Sequence, residues 1–410
     1  MGVSIWEGKK AERVAAALEM IAAANAASVD LSDEMAIRRI VRSGNASKFF
    51  DVGDQVSVKW NDGTNERDYD QDVVAFHDVA NADGDTVPAL WLQSHWGLPG
   101  VQFDASEAIW ACVEALPAGT YHFTIGTNWG THCVQDKVYQ FTLEHEVPVG
   151  GQIVIGTASS FYTWGAPDTA PSNWRAYTFS GPSSVTPIDG PVELSEGSGG
   201  TDLGTLSSAT KYSATGGALN NLQRAAYGYN RWSQSGIRQW LNSANAVGEW
   251  WEPQNPFDRP PQQLASMRGF LAGLPADFLE IVQPVRVVTA LDTVSDSDIG
   301  ASETTIDRFF LPSLEQEYIV PQASGVEGAF WPYWKQRLGL SSPQGTGSDD
   351  AKAEHIRYTI ENHTSALTVR LRSVHRGSSY YAWSVGPSGS ASTYGYATNA
   401  YRPAPACVIW

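Results

Sequence analysis

The sequence contains little cysteine, with only Cys112, Cys133 and Cys407 among 410 residues. Three cysteines are too few for the disulfide framework of a small secreted protein, and no CxxC pair suggests a redox or zinc site. Free cysteines commonly behave as small buried apolar residues. We therefore expect buried free thiols, with a Cys112–Cys133 disulfide as the alternative.

Basic residues are also few. The chain carries 27 Lys and Arg against 44 Asp and Glu, which gives a formal net charge of −17. Such a surface repels phosphate backbones, and no block of Lys and Arg offsets it, so we expect no nucleic-acid partner. We interpret the excess of acid as a source of solubility.

Long apolar stretches are absent. No run approaches the roughly 18 apolar residues of a transmembrane helix, so no membrane span is expected. The first residues, MGVSIWEGKKAERV, lack the apolar core of a secretory signal. Trp6 also stands where myristoylation requires Ser or Thr. We expect a soluble protein that is made in the cytoplasm and reaches the outside only by lysis or within a particle.

What the sequence does contain predicts a folded chain, since 42% of its residues are hydrophobic and sixteen are Trp. Residues 8–26 are Ala-rich with a narrow apolar stripe, which is typical of a helix. A second helix is predicted from Ser32 to about Gly44, with Met35, Ile37, Ile40 and Val41 facing inward. We interpret residues 1–48 as a helical attachment or oligomerisation segment; simple packing on the next domain is the alternative.

Residues 49–147 are predicted to form a small β-rich domain, because alternating patterns and turn signals recur there. The expected strands cover 55–60, 73–79, 86–92, 121–125 and 138–143. The acidic turn Asn81–Asp85 does not fit an EF-hand, since Val79 and Leu90 would occupy its first and twelfth positions. The spacings among His122, His132, Cys133 and His145 match no usual zinc site. We therefore predict neither a metal nor a cofactor.

A boundary is predicted near Glu146–Gly151, where Pro and paired Gly interrupt the strand pattern. Residues 148–410 would then form one ligand-binding domain, with a Gly/Ser-rich loop at 181–218. Helical pieces are expected at 230–243 and 269–279, and a β-branched strand at 285–289. Together these elements predict an α+β fold.

The last stretch, Arg370–Trp410, combines two kinds of sequence. Apolar residues bounded by Gly and Pro are typical of short buried strands; they are Leu371, Trp383, Val385, Val408, Ile409 and Trp410. Tyrosines and one asparagine are set among Ser, Thr, Gly and Ala; they are Tyr380, Tyr381, Tyr394, Tyr396, Asn399 and Tyr401. Tyrosine offers a large contact area at low entropic cost, and small polar residues offer adaptable hydrogen bonds. This composition favours a binding surface.

Catalytic motifs are missing, since no GxSxG, HExxH, P-loop or CxxC occurs. Ser378 and His375 could serve as nucleophile and base, but positions 362–410 contain no acid to orient the imidazole. Cys407 stands alone in a predicted buried strand. A glycosidase needs two carboxylates at a set separation, and the sequence does not single out a pair. We predict that the protein is not an enzyme.

The chain resembles phage and prophage proteins that carry a C-terminal C-type-lectin-like domain. The matching motifs run in the same order in the C-terminal part: Gly228–Ser243, Gly248–Pro253, Phe257–Pro261, Gly269–Gly273, Phe310–Ser313 and Arg402–Cys407. The N-terminal half is similar at Val52–Gln55, Asp72–Val74, Leu92–His95 and Ala118–Phe123. The resemblance covers most of the chain. It implies a C-type-lectin-like fold for residues 148–410, preceded by the helical segment and the β-rich domain.

Retroelement-diversified receptor-binding proteins share that fold class and display ligand contacts in a variable C-terminal region. The resemblance implies these candidate contacts: His375, Ser378, Ser379, Tyr380, Tyr381, Tyr394, Tyr396, Asn399 and Tyr401. It implies a tail-associated virion protein that binds a host-surface protein or glycan. The N-terminal region would contact other virion proteins, and we expect a homo-oligomer, a trimer as in many fibres. The alternatives are a structural tail or decoration subunit, or a phage-associated glycan-active enzyme.

Overall fold

The computed structural model describes residues 34–128, 134–162, 173–208, 218–294, 301–391 and 394–410. Within them the protein is a mixed α+β structure in which strands outnumber helices. The helices are α1 (Glu34–Arg42), α2 (Ala46–Phe49), α3 (Leu222–Tyr227), α4 (Gly236–Leu241), α5 (Ala276–Ile281) and α6 (Pro332–Leu338). Short 3-10 turns lie at Trp232–Gln234, Gln262–Ala265, Phe270–Gly273, Ser348–Asp350 and Ala353–His355. The α+β prediction is confirmed.

In the described ranges, twenty-one strands fall into six sheets. Those before residue 160 are β1 (Gln55–Asn61), β2 (Glu66–Ala75), β3 (Val79–Ala80), β4 (Thr86–Val87), β5 (Leu90–Ser94), β6 (Trp110–Ala111), β7 (Gly119–Ile125), β8 (Val138–Leu143) and β9 (Gln152–Thr157). The middle of the chain supplies β10 (Trp174–Phe179), β11 (Val192–Glu193), β12 (Ser195–Glu196), β13 (Thr201–Leu206), β14 (Val285–Ala290), β15 (Ser302–Asp307) and β16 (Phe309–Phe310). The last five are β17 (Val369–Val374), β18 (Tyr381–Val385), β19 (Tyr394–Tyr396), β20 (Arg402–Pro403) and β21 (Ala406–Ile409).

The largest sheet has the order β1-β2-β5-β21-β16 and is antiparallel throughout. Its fourth strand is the C-terminal one, and Leu92 of β5 pairs with Cys407 of β21. The sheet therefore joins strands from both sides of the predicted 147/148 boundary. The main apolar core packs on this sheet and includes the fully buried Trp232 and Trp240.

A second core lies around the sheets β12-β8-β7-β13 and β11-β10-β9-β6. Here too the strands come from both sides of that boundary, since β13 runs parallel to β7 and β12 pairs with β8. The described strands do not separate into sheets along the predicted domain boundary. Residues 181–218 are predicted to be a loop. The described part of this range, which runs to residue 208, contains β11, β12 and β13. That prediction was wrong for these strands, because backbone pairing with β8 and β7 overrides a Gly/Ser-rich composition.

The predicted helix at 8–26 lies outside the described residues. The second predicted helix corresponds to α1, whose inward residues Ile37, Ile40 and Val41 are all buried. It ends before Gly44, which has a positive φ of 72°. The α1 helix packs against α5, and Arg38 donates a hydrogen bond from Nε to the Trp410 carbonyl at 2.8 Å. This part of the N-terminal segment packs on the body of the protein, which is the alternative that the sequence left open.

Several local predictions are confirmed. Strands β1, β7, β8 and β14 match their predicted positions closely. The turn between β3 and β4 is closed by the Asn81 side chain, which accepts hydrogen bonds from the backbone of Gly84 and Asp85 at 2.8 Å each. Cys112 and Cys407 are buried free thiols, and burial raises the pKa of Cys112 to about 11. None of the described helices is long and apolar enough to span a bilayer.

Candidate functional site

Two short strands position the tyrosines of the C-terminal stretch. Strand β18 pairs antiparallel with β19, and Tyr381 lies directly opposite Tyr396. Directly opposed residues in an antiparallel pair project from the same face of the sheet. Their rings accordingly lie 5.2 Å apart, centroid to centroid, with an angle of 15° between their planes. Tyr380 precedes β18 and adds a third ring, 4.3 Å from Tyr381 and 5.8 Å from Tyr396.

A fourth ring comes from Tyr227, at the end of α3. It stacks on Tyr396 at 3.8 Å with nearly parallel planes and lies 5.4 Å from Tyr380. All four rings are half-buried, so part of each remains accessible. We call Tyr227, Tyr380, Tyr381 and Tyr396 the tyrosine stack. Sequence reasoning missed Tyr227, because nothing in the local pattern of α3 indicates contact with a distant strand.

The position of Tyr227 follows from how α3 begins and ends. Asn221 caps the helix, and its side chain accepts hydrogen bonds from the backbone N–H groups of Gln223 and Arg224. Gly228 ends it with a φ of 74°, and a Cβ there would lie 2.6 Å from the Ala105 carbonyl oxygen. Only glycine fits this positive φ and close approach without strain. The helix is therefore held at both ends, which fixes the ring of Tyr227 against β19.

Arg370 anchors the strands from beneath. Its guanidinium is fully buried and donates hydrogen bonds to four backbone carbonyls, those of Ala382, Gly395, Tyr396 and Asn399, at 2.8–3.1 Å. Burial lowers the pKa of Arg370 to about 9, which still leaves it charged near neutral pH. One side chain on β17 thus ties together β18, β19 and the turn that follows. A charged donor shared among carbonyls holds them more firmly than a neutral one.

Asn230 fixes the other end of the stack. Its amide donates to the carbonyls of Ser378 at 2.6 Å and Tyr381 at 2.9 Å, and its backbone N–H donates to the Ser379 carbonyl at 3.0 Å. The side chains of Ser378 and Ser379 are only 6% and 1% exposed. These two predicted contact residues therefore lie in the interior, where their backbone supports the stack and their side chains do not reach the surface.

The remaining predicted contacts lie around the stack. His375 is half-buried, 6.2 Å from the ring of Tyr381, and burial lowers its pKa. Asn399 donates from its amide to the Tyr401 hydroxyl at 3.2 Å, and both residues are half-buried. Tyr394 lies in β19, and its side chain is outside the described part of the structure. The structure thus groups Tyr380, Tyr381 and Tyr396 with Tyr227, and places the other half-buried residues beside them.

The chemistry available at this surface is that of aromatic faces and neutral hydroxyls. Burial, followed by the neighbouring phenols of Tyr380 and Tyr396, raises the pKa of Tyr381. A phenol with a raised pKa stays protonated at neutral pH, so it donates a hydrogen bond and does not act as a base. The arrangement suits stacking and hydrogen bonding to a ligand.

Helix α3 also carries Arg224 into a buried acidic cluster that contains Asp104, Glu107 and Asp258. Candidate ligand atoms of the three acids lie within 4.8 Å of one another. Glu107 accepts two hydrogen bonds from Arg224, at 2.6 and 2.9 Å, and one each from the amides of Asn220 and Asn255. These four donors occupy both oxygens of Glu107, which leaves it poorly suited to bind a metal.

Asp104 and Asp258 behave differently from Glu107. Burial, followed by the charges of the neighbouring acids, raises the pKa of both groups, and that of Asp258 to about 8. Oδ2 of Asp104 accepts from the backbone of Tyr229 at 2.8 Å, whereas Oδ1 has no hydrogen-bond partner among the described residues. Because one guanidinium faces three carboxyls, this cluster is best satisfied when it holds a proton.

Two of the histidines considered as zinc ligands, His122 and His145, lie in the described residues and have other partners. His122 contacts the Gly199 carbonyl through Nδ1 at 2.9 Å, and His145 contacts Asp189 at 2.7 Å. Glu144, His145 and Asp189 form a second group of possible ligands, but Asp189 also accepts from the backbone of Glu144 and His145. Its oxygens therefore hold a loop together. His132 and Cys133 lie outside the described residues.

Comparison with protein-family models gives a match to the C-terminal half of the chain. Residues 209–410, which include the whole tyrosine stack, match a family described as a domain of unknown function, DUF6273. No curated protein and no solved structure gives a significant match.

Proposed function

We propose that the protein is a receptor-binding protein that uses the tyrosine stack and its surroundings to bind a host-surface protein or glycan. The observation that carries this proposal is the stack itself: four half-buried rings on a tightly anchored backbone. A ligand gains large contact area from such rings, and little side-chain entropy is lost because packing already restricts them. The neighbouring Asn399 and Tyr401 add polar groups for orientation.

We further propose that residues 148–410 have a C-type-lectin-like fold and that the protein is a tail-associated component of a phage or prophage particle. The ordered motifs from Gly228–Ser243 to Arg402–Cys407 support this, as does the concentration of Tyr, Ser and Asn near the C-terminus. In this proposal the N-terminal region contacts other virion proteins, as a homotrimer in the assembled particle.

The binding proposal is tested with full-length protein against a panel of bacterial cells and a glycan array. The variants Tyr380→Ala and Tyr396→Ala remove rings from the stack. Tyr162→Ala removes a half-buried tyrosine elsewhere and serves as the control. Central aromatic contacts commonly contribute at least about 2 kcal/mol to an interface, so each stack variant should bind at least tenfold more weakly.

Three results would count against the proposal. Unchanged binding by both stack variants would place the interface elsewhere. No binding by the wild-type protein to any cell or glycan would favour a structural tail or decoration subunit. Glycan cleavage would favour an enzyme. Sequencing the 3′ end of the gene across isolates tests diversification separately: changes confined to adenine-derived positions beside a template repeat would support it, and an invariant end would refute it.

A further inference from the structure

We propose that the tyrosine stack recognises an oxyanion of an acidic glycan, a sugar carboxylate or sulfate, through the hydroxyl groups of Tyr380, Tyr381 and Tyr396. This class of ligand rests on the binding role proposed above for the stack and makes that role more specific. Converging phenol hydroxyls, mutual contacts between the rings and a buried positive charge beneath the strands all favour a negative ligand group.

Three phenol hydroxyls of the stack meet at Tyr381. The hydroxyl of Tyr381 is hydrogen-bonded to those of Tyr380 and Tyr396. Burial, followed by these two neighbours, raises the pKa of Tyr381, so its phenol is protonated at neutral pH. Three phenols carry three protons, and two mutual hydrogen bonds use two of them, which leaves one O–H to donate to a ligand. Such a donor forms its strongest hydrogen bond with a charged oxygen.

The ring faces of the stack contact one another. Tyr227 lies 3.8 Å from Tyr396 with an angle of 6° between the planes, so it covers one face of that ring. Tyr381 lies 5.2 Å from Tyr396 and 4.3 Å from Tyr380. A sugar ring that stacked on these faces would compete with the contacts, whereas a ligand at the hydroxyls and ring edges would not. Aromatic edges carry partial positive charge, which also favours a negative ligand atom.

Arg370 places a positive charge beneath the same strands. It is fully buried, and the acceptors of its four hydrogen bonds are backbone carbonyls. Arg370 forms no ion pair with any residue in the described part of the chain. A buried charge without a carboxylate partner is costly, and its field is screened less than that of a charge in water. An anion bound at the surface above Arg370 therefore lowers that cost.

The C-terminal stretch itself is free of acids that would offset this charge, since positions 362–410 contain neither Asp nor Glu. The acidic cluster beside α3 adds no net negative charge at neutral pH. Glu107 is paired with Arg224, and burial raises the pKa of Asp104 and Asp258. Although the whole chain has a net charge of −17, this region therefore attracts an anion.

A glycan suits this surface better than an acidic protein segment does. Phenol hydroxyls and the Asn399 amide, which donates to the Tyr401 hydroxyl, both donate and accept hydrogen bonds. An acidic sugar presents several hydroxyls around its charged group, so it uses donors and acceptors together. The side chains of Asp and Glu present a carboxylate alone.

The test measures binding of the full-length protein to paired probes by calorimetry, at low and at high salt. Oligogalacturonate is compared with its methyl ester, and dextran sulfate with dextran, so that each pair differs in charge on the same sugar. Poly-glutamate serves as the acidic peptide. Tyr381→Phe removes the central hydroxyl and keeps the ring, and Tyr162→Phe removes a half-buried tyrosine hydroxyl elsewhere as the control. Thermal melting checks that each variant is folded; should Tyr381→Phe fail to fold, Tyr396→Phe replaces it.

We expect an acidic glycan to bind saturably and at least tenfold more tightly than its neutral counterpart, with high salt weakening the acidic probe alone. Tyr381→Phe should bind that probe at least tenfold more weakly, because hydrogen bonds to charged groups contribute at least that much. Tyr162→Phe should bind it as the wild type does.

Equal binding of acidic and neutral glycans, no saturable binding of either acidic glycan, or unchanged affinity in Tyr381→Phe would overturn the proposal. Poly-glutamate binding as tight as that of the acidic glycan would overturn the assignment to a glycan. The cell-binding assay separates these failures from failure of the receptor-binding role. Cells that bind the wild type and lose binding in Tyr380→Ala keep that role even when the charge of the glycan makes no difference.

Discussion

The buried acidic cluster should make the stability of the protein depend on pH, and Asp104→Asn should remove much of that dependence. The folded state holds a proton on Asp258 up to a pKa of about 8, whereas an unfolded aspartate has a pKa of about 3.9. A raised carboxyl pKa contributes stability that is fully present below the unfolded pKa. That contribution is lost as the pH rises through the folded pKa.

The size of the effect follows from proton linkage. When the folded state binds one proton more than the unfolded state, the free energy of unfolding falls by about 1.4 kcal/mol for each unit by which the pH rises. Between pH 5 and pH 8 this amounts to at most about 4 kcal/mol. The pKa of Asp104 is raised as well, so this carboxyl also holds a proton in the folded state, and Asp104→Asn removes that titrating group. The variant keeps only the contribution of Asp258, so between pH 5 and pH 8 it should gain about 1–3 kcal/mol in free energy of unfolding relative to the wild type.

The assay is urea unfolding followed by tryptophan fluorescence at pH 5, 6, 7 and 8, with EDTA present to keep divalent cations from replacing the proton. Asp83→Asn, in the exposed turn between β3 and β4, is the control for removing one negative charge. It should shift all four midpoints equally. If Asp104→Asn also runs parallel to the wild type, the cluster does not hold the proton and the reasoning is refuted.

Three further predictions follow from other parts of the structure. Gly389→Ala should lower the free energy of unfolding by more than about 2 kcal/mol in urea, because the φ of Gly389 is 78° and a Cβ would collide with the Lys352 carbonyl oxygen. Gly325→Ala is the control, because Gly325 has a φ of 75° with open space around it, so its loss of stability reports the backbone strain alone. Asp189 raises the pKa of His145, chiefly through a hydrogen bond and then through its charge. NMR titration should find the pKa of His145 above 6.5 in the wild type and near 6.5 in Asp189→Asn. The stability contributed by the His145–Asp189 interaction is present in acid and is lost as the pH rises past the folded-state pKa of His145. A fragment that lacks β1, β2 and β5 should fail to give a cooperative melt, because β21 loses its partner β5; a wild-type-like melt would contradict this.

Local structure could be predicted where one face of an element is buried. The alternation in Gln55–Trp60 predicted β1, and the helical spacing of Ile37, Ile40 and Val41 predicted the buried face of α1. Predictions failed where pairing between distant segments decides the structure. The strands within 181–218 form because β7 and β8 offer them backbone partners, and composition does not report such partners.

The candidate site was predictable in composition and not in arrangement. The sequence predicted Tyr380, Tyr381 and Tyr396 as members of a binding surface. The structure places their rings together, and their role in binding stays a prediction. The sequence did not indicate that Tyr227 joins these rings, nor that Ser378 and Ser379 have buried side chains. Both depend on contacts between segments far apart in sequence, as does the meeting of Asp104 with Asp258.

The anchoring of the tyrosine stack bears on how such a surface could vary. Arg370 and Asn230 hold β18, β19 and the following turn through carbonyl oxygens, including those of Tyr381, Tyr396 and Asn399. Every amino acid supplies a carbonyl, so exchanging a side chain at these three positions leaves the acceptors in place. The anchors themselves are buried arginine and asparagine, and neither is a candidate contact. Side chains at these positions can therefore change while the backbone that presents them is retained, which is the property that the proposed diversified binding surface requires.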